Sequence, residues 1–334
     1  MVRVIDMHCD TISELYYNHR DGGNLSVLDS PLHVNLEKME KGGYGLQNFA
    51  LFTHLERAGN RPFEYCMRLA DTFFTEMKAH TDKIGIVRNY GDIEENWRLH
   101  KMSALLTVEE GGVCQGELAF LRILYELGVR MMTLTWNFQN ELGWPNQKEQ
   151  TESGNTYYVP DTRHGLTEKG VAFLEEMEGL GMIIDISHLN DKGIWDVFEH
   201  TKKPFVASHS NCRQLTPHPR NLTDEMIRKL AERGGVAGIN FCSAFLKEEA
   251  PDTQEVMSAI QDMIRHMKHM KQIGGIEVIG LGTDFDGIEN PVEISDASKM
   301  QQLVWAMEQA GFTSGEIDAV FHGNVLRVYK EILS

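Results

Sequence analysis

Eight short apolar runs punctuate the chain, and most are followed by a stretch of helical periodicity. They cover residues 4–9, 43–52, 103–109, 131–136, 182–187, 204–208, 235–241 and 278–284. Their near-continuous apolar character predicts strands buried on both faces, as in parallel sheets wrapped by helices. Helical spacing of apolar residues predicts helices over 62–79, 118–127, 167–179, 192–200, 224–233 and 254–273. An alternation of this kind repeated eight times predicts an α/β fold, a closed (β/α)8 TIM-type barrel. A doubly wound open sheet is the alternative. Residues 83–89 offer one extra strand. Residues 137–163 are polar and carry no clear period, which predicts a long loop after the fourth strand of the kind that forms lids. With 334 residues and no linker, repeat or low-complexity stretch, one catalytic domain over 1–334 is expected.

In such barrels the chemistry gathers at the C-terminal ends of the strands. Strand one ends in His8 and Asp10, two apart and therefore on one face. Strand three ends in Glu109-Glu110, strand five runs into His188, strand six into His209, and strand eight ends in Asp284. Three imidazoles and two carboxylates (His8, Asp10, Glu109, His188 and His209) suit zinc or a similar metal. Five ligands are too many for one catalytic ion with an open position, whereas two ions sharing one carboxylate would use them all. A two-metal centre lowers the pKa of bound water and holds a developing oxyanion. Asp284 is then placed to take a proton and pass it to a leaving group. Asp185, inside strand five, fits a group that holds a ligand in place. His19, His33, His54, His80, His100, His200, His266, His269 and His322 lack a strand-end context and read as surface or satisfied core residues. Gly280, Gly282 and Gly287 do not match a phosphate loop opening a helix.

Charge and cysteine usage narrow the partners. The formal net charge is −17, from 32 Lys+Arg against 49 Asp+Glu. This excludes a broad electrostatic footprint for nucleic acid or an anionic membrane. The five cysteines are scattered, odd in number and without a CxxC pair. A reducing, cytoplasmic setting is expected, since no secretion signal or apolar run of membrane-spanning length is visible.

The motifs IDMHCD at 5–10, VEEGG at 108–112, IDISH at 184–188, SHS at 208–210, RN at 220–221 and GTDFDG at 282–287 give the chain a family likeness. It resembles the membrane (renal) dipeptidase family, a branch of the amidohydrolase-like metal-dependent barrels. The resemblance implies two zinc ions per subunit. His8, Asp10 and Glu109 would hold one, and His188, His209 and the bridging Glu109 the other. It also implies Asp284 as catalytic acid/base and Arg220 as the anchor for a substrate's terminal carboxylate, a pairing that a guanidinium fork makes well. Trp136 and Asn240 complete the expected substrate contacts. The implied reaction is hydrolysis of dipeptides, including those with a C-terminal D-residue, by attack of a metal-bridged hydroxide. The implied assembly is a homodimer. The chain looks more like the soluble microbial branch than the anchored mammalian enzymes.

Two departures stand out. Two glutamates precede the glycine pair where the family usually has one; ungapped alignment selects Glu109, with Glu110 as the alternative. Trp136 stands where mammalian members carry a substrate-contacting histidine. Another two-metal hydrolase on this barrel, a lactonase or phosphoesterase, is the competing function, and a non-catalytic metal-binding protein is a third.

Overall fold

The computed structural model describes residues 1–150, 156–248 and 256–333. Eleven strands are formed among the described residues: β1 (Val4–Asp6), β2 (Tyr44–Phe52), β3 (Ile84–Val87), β4 (Met102–Glu109), β5 (Val129–Thr133), β6 (Gln147–Gln150), β7 (Thr156–Val159), β8 (Ile183–Asp185), β9 (Val206–Ala207), β10 (Val236–Ile239) and β11 (Ile279–Leu281). Eight of them pair in the parallel order β1-β2-β4-β5-β8-β9-β10-β11. The first and last then meet. Met7 N donates to Leu281 O at 2.9 Å and Asp10 N to Phe285 O at 3.0 Å, so the sheet curls into a barrel.

Each of the eight expected runs supplies one barrel strand, although the regular pairing is shorter than the apolar run. Strand β3 is the extra strand at 83–89. It pairs with Met102–Leu105 of β4, while β5 pairs with Leu106–Glu109. One edge of β4 is thus shared, β3 below and β5 above. The segment at 137–163 is not a structureless loop: β6 and β7 form an antiparallel hairpin in it, and its tip lies outside the described residues. All four residues of β6 are exposed, so no hydrophobic period marks them in the sequence. The helix expected over 254–273 starts later, at Ile260–Gly274, and residues 254 and 255 lie outside the described residues. An unforeseen helix, Thr11–Arg20, follows strand β1 directly.

Side-chain alternation fills the barrel. Ile5, Leu46, Leu105, Met131, Ile183, Val206 and Val236 form one inner cluster. Moving two residues along a strand keeps the same face but changes the chemistry. β4 runs Leu105, Thr107, Glu109; β5 runs Met131, Thr133; β8 runs Ile183, Asp185; β9 leads from Val206 to Ser208. The interior is therefore apolar below and polar at the mouth. The floor is closed by the helix Asn324–Ile332, whose Val325, Val328, Tyr329 and Ile332 join the inner cluster. Burying each of these side chains is worth about 1.5–3 kcal/mol. Arg327 ties this helix to Gly234 O and to Glu277 O, just ahead of β10 and β11. No helix among the described residues is long and apolar enough to cross a membrane.

Candidate metal centre

The strand ends deliver His8, Asp10, Glu109, His188, His209 and Asp284 to one buried cluster at the mouth. His8 Nε2 lies 3.3 Å from Glu109 Oε2, 3.4 Å from Asp10 Oδ2 and 3.8 Å from Asp284 Oδ1. The other oxygen of Glu109, Oε1, lies 2.9 Å from His188 Nε2 and 3.7 Å from His209 Nε2. Glu109 therefore turns one oxygen to His8 and the other to His188 and His209, although the ligand atoms of His8, Glu109 and His209 also lie within 4.8 Å of one another. Glu110 points elsewhere. With φ at +90° it swings away and accepts from Trp136 N, Gly112 N and Asn140 Nδ2. Of six non-glycine residues with positive φ among the described residues, Glu110, His188, Asp284 and Asp286 stand at this mouth. Backbone of that kind costs of order 1–3 kcal/mol at each position and persists only where the surroundings enforce it.

Two buried carboxylates brace the backbone next to two of these residues, Asp284 and His188. Asp6 accepts from His8 N at 3.3 Å, Thr283 N at 2.9 Å and Thr283 Oγ1 at 2.7 Å, joining the ends of β1 and β11. Asp185 accepts from Ser187 N at 3.0 Å, Ser208 N at 2.9 Å, Ser208 Oγ and, at 2.9 Å, Thr133 Oγ1, joining β5, β8 and β9. Because the Ser208 hydroxyl donates to Asp185, its oxygen accepts from His209 Nδ1 at 2.7 Å. His188 Nδ1 faces Asn137 Oδ1 at 3.3 Å. Both rings thus carry their proton on the outer nitrogen and turn a lone pair inward. Gly282 is required at this junction, since a Cβ there would sit 1.7 Å from Ser208 O. At Gly287 a Cβ would lie 2.1 Å from Asp10 Oδ2. Close packing thus explains these two glycines.

The electrostatics ask for a cation. Burial pushes Glu109 up to about 7, against the pull of His8. Burial also raises Asp284, again opposed by His8. Burial opposes the charged form of His8, but Glu109 and Asp10 outweigh it and hold its pKa well above the usual value. Burial, with the charges of Arg220 and His8, keeps His188 and His209 neutral. Their Nε2 atoms face each other at 3.0 Å, two lone pairs that repel unless a cation or proton lies between them. His8 Nε2 and Asp10 Oδ1 are buried without any hydrogen bond. Orphaned ligand atoms, facing lone pairs and a nitrogen-plus-carboxylate donor set all fit divalent metal of the zinc type.

Next to the cluster lies a cavity of about 400 Å³, lined among others by Asp10, Glu109, His188, Asp284, Phe52 and Trp136. Asn240 is committed inside the chain: its amide donates to Asp284 Oδ2 at 3.0 Å and to His209 O at 3.4 Å. It holds the Asp284 carboxylate and has no N–H left for a ligand. Arg220 is buried behind Phe245, 5.4 Å from its ring, with one long contact to His209 O and an unpartnered Nε. No carboxylate pairs with it among the described residues. Burial lowers its pKa, while Asp284, Glu109 and Asp185 draw it back up. The roles of Asp6 and Ser208, and the place of Phe52 in the cavity wall, are not found by looking for metal or acid/base side chains at strand ends. Their signal is position alone: Asp6 precedes His8 by two residues, Ser208 adjoins His209, and Phe52 ends β2.

Comparison with known proteins agrees with this geometry. The profile of the membrane dipeptidase family, peptidase family M19, matches residues 1–334. An uncharacterized protein encoded in the pqqA 5' region of Klebsiella pneumoniae is 35% identical over 77% of this chain and 92% of its own length. An uncharacterized dipeptidase of Schizosaccharomyces pombe is 30% identical over 98% of this chain and 80% of its own. The crystal structure of a metallopeptidase of family M19, dipeptidase AC, superposes with a TM-score of 0.88 at 25% identity, covering 99% of both chains. A metallopeptidase from Rhodobacter sphaeroides, solved with a phosphinate mimic of L-Ala-D-Ala, shares the fold at a TM-score of 0.87 and 23% identity over 99% of both chains. The chain belongs to the membrane dipeptidase family, peptidase family M19, and with it to the metal-dependent dipeptidases.

Proposed function

We propose that the chain is a two-zinc dipeptidase in which Glu109 bridges the ions, and that its substrates include dipeptides with a C-terminal D-residue. The observation that carries this reading is the split of the Glu109 oxygens between His8 on one side and His188 with His209 on the other. His8, Asp10 and Glu109 would hold one ion, and Glu109, His188 and His209 the second. When bound, such a pair makes water acidic enough to attack near neutral pH and supplies positive charge to the developing oxyanion. Asp284 is the group that moves the proton: Asn240 fixes its Oδ2, leaving Oδ1 beside His8 to accept from the attacking water and return the proton to the leaving amine. Arg220, a buried guanidinium lacking a carboxylate partner, takes the substrate's terminal carboxylate and so limits substrate length. The buried free thiols Cys9, Cys66, Cys114 and Cys212 support a cytoplasmic, reducing setting.

The test is release of free amino acids from L,L- and L,D-dipeptides by zinc-loaded and chelator-stripped protein. Cleavage that requires metal, with little action on C-terminally amidated or longer peptides, is expected. Absence of dipeptide cleavage by protein holding two zinc ions would overturn the reading.

A further inference from the structure

Strand order fixes what faces what across the mouth. Arg220 follows β9 and Phe245 follows β10. Opposite them in the ring stand the ends of β2, β4 and β5, which carry Phe52, Glu109 and Trp136. Phe52 and Trp136 meet edge to face with ring centres 4.9 Å apart, and both line the cavity. The Trp136 ring lies 5.9 Å from that of His188, beside the metal ligands. His54 and Phe138 contact the same indole at 5.5 and 5.2 Å. Its backbone is pinned by the bond from Trp136 N to Glu110 Oε2 at 3.0 Å. The result is a rigid, apolar plate on the side of the mouth away from Arg220.

We infer that this Phe52–Trp136 wall determines specificity: it receives the side chain of the dipeptide's N-terminal residue and selects apolar, above all aromatic, ones. This rests on the dipeptidase reading, because Arg220 holding the terminal carboxylate is what directs the N-terminal residue across the mouth to the wall. Aromatic rings favour such a plate through offset or edge-to-face contact and through the area they bury.

The experiment measures kcat/KM of zinc-loaded protein for X-Ala dipeptides with X = Gly, Leu, Phe, Lys and Glu. A rise of about tenfold or more from Gly to Phe is expected, on the scale that apolar pockets discriminate. Trp136→Ala should flatten the Phe-to-Gly ratio and Trp136→Phe should keep most of it; a general loss of structure would lower all substrates alike and leave the ratio in place. A flat series, a preference for Glu or Lys, or an unchanged ratio in Trp136→Ala would overturn the inference. If no dipeptide is cleaved, the dipeptidase reading falls by itself. Calorimetric binding of the same five peptides to zinc-loaded protein then decides the wall by the same order: Phe tightest supports it, and equal or charge-led binding overturns it.

Discussion

The two sides of the Glu109 carboxylate are built from different materials. On the β1–β11 side, His8 stands among Asp10, Glu109 and Asp284, a charge-rich group held by Asp6 through the ends of two strands. On the β8–β9 side, His188 and His209 are neutral rings whose outer nitrogens are fixed by Asn137 and by Ser208, with Asp185 behind. The first side concentrates negative charge; the second sets lone pairs. The difference teaches that one carboxylate per side, Asp6 or Asp185, has the same task of fixing backbone and rotamer. What each fixes is chemically unlike.

The sharpest way to break this comparison is at its hinge. Glu109→Ala removes a donor from both sides, so activity should fall by more than about 10²-fold, beyond the range seen when only the groups supporting a ligand are lost. Zinc content measured by emission spectroscopy should fall on both sides, and retention of two ions would break the comparison. Next come the supports. Asp185→Ala and Asp6→Ala should each weaken metal binding about 10–100-fold, each at one site only. Calorimetric zinc titration would then show one tight and one weakened event in either variant; two equally weakened events would mean that the sides are not independent.

The neutral side extends to a third imidazole. His266 Nδ1 accepts from Cys212 N at 3.0 Å, so its proton is on Nε2, facing Leu246 O at 2.9 Å. Burial lowers its pKa from 6.5 to about 4. The unfolded chain therefore takes up this proton first as pH falls, and folding stability present above pH 6.5 is lost down to about pH 4. The loss amounts to about 3 kcal/mol by linkage. Denaturant unfolding across that window should show a shallower slope in His266→Gln. The smallest effect is expected at the floor, away from both sides. Tyr329→Phe removes the 2.7 Å bond from Asn48 Nδ2 to the Tyr329 hydroxyl. It should cost about 1–3 kcal/mol, for the amide left unsatisfied, with the metal sites unchanged in titration.

Much of this was legible because periodicity and strand-end position are local properties. The apolar runs mark the eight barrel strands, and the residues that end them mark His8, Asp10, Glu109, His188, His209 and Asp284. What escaped depends on contacts between distant parts of the chain. Asp6 draws its meaning from Thr283, and Ser208 from Asp185 and His209. Asn240 looks like a substrate contact until its amide is found on Asp284 and His209 O. The choice between Glu109 and Glu110 turns on a backbone twist at residue 110 that no composition reveals. The β6–β7 hairpin was invisible because β6 buries none of its side chains.

The closure of β1 against β11 has a consequence for how the protein is made on the ribosome. His8 and Asp10 leave the exit tunnel long before Leu281, Thr283 and Phe285, which pair with the β1 segment and follow more than 270 residues later. At ~5–20 residues per second, the nascent chain carries an open strand edge for tens of seconds. An unpaired edge of this kind invites pairing with other chains. A ribosome stalled between β10 and β11 would therefore display all five proposed metal ligands, His8, Asp10, Glu109, His188 and His209, without the strand that closes the barrel.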